Sequence, residues 1–224
     1  MPTFADKAIK YFLNLKSLLQ LPPLISLINP YTSSEIREIV TAFYKKFFDD
    51  NNERVFILGI NPGRFGGGLT GISFTDPVAL RNECGIENDF GNRKELSSEF
   101  VYSFIKEYGG VKKFYSKFFL SALFPLAILK DGKNYNYYDE PHLLNSLLPG
   151  IVDSLRNQIE FGTKRETAVC LGKKNAKYFN EINSKHNFFR KIEILEHPRY
   201  IMQYKRKSLG KYIEQYLSLL KKLT

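Results

Sequence analysis

A glycine-rich segment that follows a short apolar run is the first candidate for chemistry. Residues 54–60 are apolar nearly throughout, and six glycines then fall between Gly59 and Gly71. Glycine lets a ligand approach the main chain closely. The P-loop pattern GxxxxGK[ST] is absent, and the segment is too long and proline-rich for a dinucleotide-binding turn that opens a helix. It therefore indicates either a ligand site of another kind or a flexible surface loop.

Asn61 stands at the end of the apolar run. Its amide both donates and accepts hydrogen bonds, so it can orient a water molecule without ionising. Its alternative role is to form a turn before Pro62. Phe74, further along the segment, can stack on a flat ring or simply pack in the core.

His197 is the second candidate, because it follows the short segment 191–195, which resembles residues 54–60, and precedes a proline. A histidine held there can hydrogen-bond a developing negative charge, or it is a surface histidine beside a turn. The residues after it mix cations with aromatic rings, namely Arg199, Tyr200, Tyr204, Lys205, Arg206 and Lys207. Cations contact phosphates and rings stack on bases, so this loop favours a nucleic-acid surface over a solvated helix start.

The elements that must position these residues follow from the spacing of apolar residues. Strands are predicted over residues 54–60, 117–123, 167–171 and 191–195, and helices over 6–20, 34–48, 97–108, 141–161, 173–182 and 208–220. Strands that alternate with helices predict an α/β fold, a three-layer α/β/α arrangement around a central four-stranded, largely parallel sheet. We expect one domain over residues 1–224, with an N-terminal helical pair (residues 1–50) packed on it.

The predicted sheet places both candidates in one region. Ligands of such sheets bind at the carboxyl ends of the strands. We therefore expect Asn61 and His197 to lie at the ends of neighbouring parallel strands and to face one cleft.

Composition narrows the function classes. The chain of 224 residues has 33 basic against 23 acidic residues, a net charge of +10, which favours polyanions such as nucleic acid or serves solubility alone. No run approaches the ~18 apolar residues of a membrane span, and no signal peptide is visible, so a cytoplasmic protein is expected. Two distant cysteines without a CxxC pattern disfavour a zinc site built on cysteine pairs.

The segment GINPGRFGGGLTGISF resembles the first motif of the single-strand-selective monofunctional uracil-DNA glycosylases, within the uracil-DNA glycosylase superfamily. In that family the motif reads GMNPGPFG, a few residues, TG, two residues and Phe, and the spacing from Asn61 to Phe74 matches. Similar blocks fall at residues 95–104, 117–126 and 132–134, and His197-Pro198 matches the start of the family's HPSPR motif. The resemblance covers about residues 50–220 and is nearest to bacterial relatives whose last motif reads HPR.

The resemblance implies a monofunctional enzyme of base excision repair that hydrolyses the N-glycosidic bond of uracil or a related deaminated base in DNA. Asn61 would position the water, Phe74 would stack on the flipped base, and His197 would hydrogen-bond the base as it leaves. The implied base pocket consists of Gly59, Ile60, Pro62, Gly63, Gly67, Phe74, Ser121 and Ala122. The implied DNA contacts are Arg64, Arg199, Tyr200, Met202, Gln203, Lys205, Arg206 and Lys207. The partner would be DNA, preferentially single-stranded, bound by a monomer of the bacterial cytoplasm without a membrane, metal, organic cofactor or lysine nucleophile.

Two departures from the family pattern leave alternatives open. Ala122 stands where the family reads the base with an asparagine, and a site that loses such a partner loses discrimination. The wedge loop lacks Ser-Pro-Arg, so Arg199, Tyr200 or Met202 would insert into the DNA instead. A catalytically silent module that binds single-stranded nucleic acid on the same fold stays possible, as does a small-molecule enzyme of nucleoside type.

Overall fold

Seven strands and ten α-helices form the part of the chain that the computed structural model describes, residues 1–16 and 21–224. The strands are β1 (Ile25–Ile28), β2 (Arg54–Gly59), β3 (Phe118–Ala122), β4 (Ala127–Lys130), β5 (Lys133–Tyr135), β6 (Thr163–Leu171) and β7 (Lys191–Leu195). The helices are α1 (Phe4–Leu13), α2 (Ser34–Phe48), α3 (Gly67–Thr70), α4 (Pro77–Asn82), α5 (Leu96–Tyr108), α6 (Val111–Tyr115), α7 (Pro141–Ile159), α8 (Lys173–His186), α9 (Pro198–Tyr204) and α10 (Leu209–Lys222).

The central sheet has the strand order β3-β2-β6-β7, and every neighbouring pair is parallel. All residues of β2 and β3 are buried, which requires cover on both faces, and the flanking helices supply it. The predicted α/β fold with a four-stranded parallel sheet is confirmed. The helices predicted downstream of the first strand are all present, with ends that differ by up to four residues.

A second, antiparallel sheet was not predicted. It has the order β1-β4-β5, and its strands are only three or four residues long. The tight turn at Asp131-Gly132 joins β4 to β5, with positive φ at both residues. This β4–β5 hairpin stands beside the segment that follows β2, and it forms one wall of the site described below.

The helix predicted over residues 6–20 is shorter in the structure. α1 ends at Leu13, and the side-chain amide of Asn14 donates back to the Lys10 carbonyl at that end. Residues 17–20 of the prediction lie outside the described residues. The prediction for α2 is confirmed, although Ser33 stands at its N-cap position without a side-chain hydrogen bond.

Arg54, the first residue of β2, is a fully buried cation that joins the N-terminal helices to the sheet. Its guanidinium carbon lies 4.9 Å from the ring centre of Phe4 and 4.7 Å from that of Phe48. Its nitrogens donate five hydrogen bonds, to the carbonyls of Phe47, Asn52 and Tyr115 and to both carboxylate oxygens of Asp50. A buried charge is tolerated only with such complete pairing.

We predict that Arg54→Met lowers the free energy of unfolding by about 3–5 kcal/mol, because it leaves buried carbonyls and one carboxylate without their donor. The matched control is Arg156→Met, which breaks the exposed pair with Asp153 and is expected to cost no more than about 1 kcal/mol. Urea denaturation measures both changes. Equal, small losses in the two variants would show that the Arg54 network contributes little.

Candidate active site

The end of β2 carries an aromatic ring packed directly on the main chain. A Cβ atom at Gly59 would lie only 2.4 Å from Cζ of Phe74, so no other residue fits beneath this ring. Phe74 itself has a φ of 57°, in the left-handed region that side chains rarely adopt. Gly59 pairs in register with Ala122 of β3, whose methyl group also faces the cleft. Together the ring and the two small residues form a flat floor.

The side-chain amide of Asn61 both donates to and accepts from the backbone of the β4–β5 hairpin and the residues after it. Its Nδ2 donates to the Tyr135 carbonyl over 3.0 Å, and its Oδ1 accepts from the Tyr137 N–H over 3.3 Å. One hydrogen of Nδ2 and one lone pair of Oδ1 stay available to a ligand. The amide therefore faces the cleft in a defined orientation.

His197 is half-buried and caps the first turn of α9, since its Nδ1 accepts the N–H of Arg199 over 3.2 Å. An accepting Nδ1 places the ring hydrogen on Nε2, so the side chain presents a donor. Burial and then the positive charge of Arg199 lower the pKa of His197 to about 4. The imidazole is consequently neutral at physiological pH.

Asn61 and His197 face one cavity of about 490 Å³, which Phe74 also lines with its ring centre 6.0 Å from that of His197. Their strands are not neighbours, however, and this part of the expectation is wrong: β6 lies between β2 and β7. The chain turns at Gly172 directly after β6, where a Cβ would already lie 3.3 Å from that of His197. Because Gly172 has no side chain, His197 can lie against the end of β6 and line the same cavity as Asn61.

The predicted pocket residues divide into two groups. Those that line the cavity are Ile60, Pro62, Gly63, Phe74 and Ala122, and Gly59 lies beneath the ring. Gly67 and Ser121 do not line it. Gly67 packs against Pro62 and the Ile72 carbonyl, while the buried Ser121 hydroxyl donates to Gln158 of α7. Successive strand residues face opposite sides of a sheet, so Ala122 and Ser121 cannot both face the cleft.

Several lining residues were not singled out from the sequence. They are Phe65, Ser73, Lys94, Glu95, Leu96, Ser97, Lys133, Asn134, Tyr135 and Asn136. The family-like blocks at residues 95–104 and 132–134 contain some of them. Which residues of these blocks line the cavity can be seen only once the fold is known. Asn134 is oriented, because its Oδ1 accepts the N–H of Arg64 over 2.9 Å.

The described residues contain no group of three or more His, Cys, Asp or Glu side chains that could hold a metal ion. No helix in residues 1–16 and 21–224 is long and apolar enough to cross a membrane. Cys84 and Cys170 are free and buried. Burial raises the pKa of the Cys84 thiol to about 12, which disfavours a nucleophilic thiolate there.

Comparison with known proteins identifies the family. The model of the uracil DNA glycosylase superfamily matches residues 45–221. The chain belongs to this superfamily of DNA glycosylases. The crystal structure of wild-type SMUG2 from Pedobacter heparinus is similar to this glycosylase with a TM-score of 0.96 and 42% sequence identity, over 100% of this chain and 99% of that chain. No curated protein sequence matches the chain.

The segment predicted as a wedge loop of this glycosylase is the helix α9 followed by a 3-10 turn (Arg206–Ser208). Met202 is buried at 3% exposure and packs in the core, so its prediction as a DNA contact is wrong. Helical spacing places Met202 on the inner face, whereas Tyr200, Gln203 and Tyr204 stay exposed. The exposed rings of Tyr200 and Tyr204 lie 5.5 Å apart.

Only two of the predicted cations of the glycosylase line the cavity. Arg64 and Arg199 line the cavity, and the guanidinium of Arg64 lies 4.3 Å from the ring centre of Phe65. Lys205 and Lys207 are exposed, and the structure gives them no ion pair within the described residues. Arg206 is also exposed but pairs with Glu99 of α5 over 2.8 Å.

We predict that His197 makes the glycosylase less stable in acid. The folded-state pKa of about 4 lies below the ordinary value of 6.5, so between these pH values the unfolded chain binds the extra proton and stability falls as the pH falls. The slope from this group approaches about 1.4 kcal/mol per pH unit. His197→Asn keeps a capping acceptor but does not titrate, so its unfolding free energy, measured from pH 7 to 4, is expected to fall less steeply. An unchanged slope would contradict a neutral imidazole at this position.

Proposed function

We propose that the protein is a monofunctional DNA glycosylase of the single-strand-selective branch, with the bacterial HPR form of the last motif. It would hydrolyse the N-glycosidic bond of uracil or a related deaminated base in DNA, as a monomer acting in base excision repair. The observation that carries the proposal is the single cavity in which a stacking ring, a neutral imidazole donor and an oriented amide converge. Each of these groups matches one requirement of the reaction.

The base would enter by extrusion from the DNA and stack on Phe74. Extrusion is least costly from single strands and mismatches, which supports a preference for single-stranded substrate. The cavity floor is flat and apolar, as a base face requires, because Gly59 and Ala122 bring no bulk beside the ring. An inserting side chain, where duplex DNA is bound, would be an exposed ring such as Tyr200 rather than Met202.

His197 would stabilise the departing base. When the glycosidic bond breaks, its electron pair stays on the base, which becomes an anion. A neutral imidazole donates a hydrogen bond from Nε2 to this anion, and one well-placed donor lowers the barrier by roughly 3–4 kcal/mol. The low pKa of His197, about 4, keeps the donor neutral throughout the physiological range.

Asn61 would hold the water that attacks the sugar. The free lone pair of its Oδ1 accepts a hydrogen bond from the water, while the bonds to Tyr135 and Tyr137 keep the amide from turning. Lys94 and Lys133 line the cavity, but both are exposed and do not have the desolvated surroundings of a Schiff-base lysine. This supports hydrolysis without strand-cleaving lyase chemistry.

Ala122 leaves the choice of base to other groups. Its methyl group makes no hydrogen bond, and its carbonyl already accepts from Gln158 Nε2 over 3.1 Å. The competing function, a silent module that binds single-stranded nucleic acid, is favoured by this one feature. The activity assay below separates the two, since a silent module binds uracil-containing DNA but releases no base.

We predict that Asn61→Ala and His197→Ala each lower the single-turnover rate on single-stranded uracil DNA by about 10²-fold or more. Affinity for the DNA is expected to change little, because neither residue is a main phosphate contact. The His197 variant should lose most on bases that leave poorly, whereas the Asn61 variant should lose similarly on all. Abasic sites are detected by strand breaks that appear only after alkali.

The control is Asn157→Ala, an exposed asparagine of α7 away from the cavity, with thermal unfolding recorded for all variants. Full activity in both cavity variants would refute the mechanism. Tight binding by an inactive wild-type protein would favour the silent module.

We predict that the double variant Lys205→Gln/Lys207→Gln binds single-stranded DNA with a weaker salt dependence. Each phosphate contact contributes about 0.7 to the slope of log K against log salt, so the slope should fall by about 1.4. Arg206 is left in place because Glu99 already pairs with it. Fluorescence anisotropy between low and moderate salt measures the slope.

The matched control for this measurement is Lys112→Gln/Lys113→Gln. These exposed lysines lie on α6, which precedes β3. They are therefore near the amino ends of the strands, whereas the cavity lies at the carboxyl ends. Equal slopes in the two double variants would place the DNA path away from the 3-10 turn after α9.

A further inference from the structure

Glu95 is the only carboxylate that lines the cavity among the described residues. It stands at the N-cap position of α5, yet its side chain does not cap the helix. Its backbone N–H is instead held by Asp76, which accepts it over 2.8 Å. The side chain is thereby directed away from its own helix and toward the segment after β2.

The carboxylate lies against the main chain close to Asn61. Its Oε1 accepts the N–H of Phe65 over 3.3 Å. A Cβ at Gly63 would lie 2.4 Å from Oε1, and one at Gly66 would lie 2.3 Å from Oε2. The two glycines are therefore the reason that a carboxylate fits here, two residues along the chain from the amide that would hold the water.

The surroundings of Glu95 combine burial with several charges. Burial raises the pKa of Glu95 above the ordinary glutamate value, and Asp76 at the start of α4 acts in the same direction. The N–H of Phe65 and the charge of Arg199 on α9 oppose this rise. Lys94, His197 and Arg64 are the other charged or titratable groups that line the cavity on these elements, and Lys133 lines it from the hairpin.

No other group in the described part of the cavity can accept a proton near neutral pH. The Asn61 amide has no basic site, and the Nδ1 of His197 is occupied by the Arg199 N–H. Lysine and arginine side chains offer nitrogen donors and no acceptor, and the Tyr135 hydroxyl donates to Glu140. Hydrolysis nevertheless releases a proton from the attacking water.

We infer that Glu95 is a further catalytic residue, which accepts the proton of the attacking water and counters the positive charge of the sugar with its carboxylate. The inference rests on the proposed function. The C1′–N bond breaks and its electron pair stays on the base. The water oxygen bonds to C1′ while its proton passes to Glu95, and that proton then returns through solvent to the base anion.

Glu95→Gln is the decisive variant, because it keeps the shape and the carbonyl acceptor for Phe65 but removes the basic site. We expect its single-turnover rate at pH 7.5 to fall by roughly 10²–10³-fold. The wild-type rate should also fall in acid as Glu95 becomes protonated, at a pH above that at which His197 titrates. In Glu95→Gln this acid limb should be absent down to the pH near 4 at which His197 titrates.

Two further variants make the test specific. Glu95→Asp keeps a carboxylate and should retain both the acid limb and part of the rate. Glu107→Gln removes the same charge from an exposed position of α5 and should leave rate and pH profile unchanged. A purely structural role of Glu95 would change stability and affinity but would not remove the acid limb.

The outcomes separate the two proposals. If wild-type protein releases no base from any deaminated substrate, the proposed function fails. If wild type is active and Glu95→Gln matches it in rate and pH profile, only the role of Glu95 fails. Should Glu95→Gln not fold, an acid limb that is missing from both wild type and Glu95→Asp would overturn the inference.

Discussion

The contact between the Phe74 ring and the bare main chain of Gly59 is the constraint on which the site depends. The ring occupies the space that any β-carbon at residue 59 would need. The ring forms the floor of the cavity at the carboxyl ends of the strands. Its position also fixes the distance from this floor to His197. The unfavourable φ of Phe74 is tolerated because the surrounding loop is tied down by buried hydrogen bonds, among them that of the Thr70 hydroxyl to the Thr75 carbonyl.

The main chain restricts the orientation of each polar group in the cavity. The Asn61 amide donates one hydrogen bond to the Tyr135 carbonyl and accepts one from the Tyr137 N–H. The Nδ1 of His197 accepts the N–H of Arg199 in the first turn of α9. The carboxylate of Glu95 accepts the N–H of Phe65, in the segment after β2. Such a site is oriented before any ligand arrives, which is what catalysis by fixed dipoles requires.

The sequence predicted the parts of the fold whose signal is local. β2 was found because its apolar run is continuous, and α2 because its apolar residues keep helical spacing. β1, β4 and β5 were missed, since strands of three or four residues have too few positions to show a period. The helical nature of α9 was missed too, because Pro198 reads as a turn although proline also suits the first position of a helix.

A residue of the candidate site could be predicted from the sequence only where a side chain suited to the chemistry directly follows a predicted strand. Asn61 and His197 were found in this way, and the cavity does contain both. Glu95 was not, because it is one glutamate among many until the fold brings its carboxylate against Gly63 and Gly66. Ser121 was assigned to the wrong side of β3, since a motif block does not reveal the pleat of the strand.

The double anchorage of Asn61 restricts which residues this position can accept. An aspartate would be a stronger base, but it has no N–H to donate, and it would set a charged oxygen about 3.0 Å from the Tyr135 carbonyl. Repulsion between the two oxygens would push the hairpin away from the segment after β2 and open the cavity wall. In evolutionary terms, a more basic residue at position 61 is accessible to this scaffold only together with a rebuilt hairpin, whereas the amide is compatible with the hairpin as it stands.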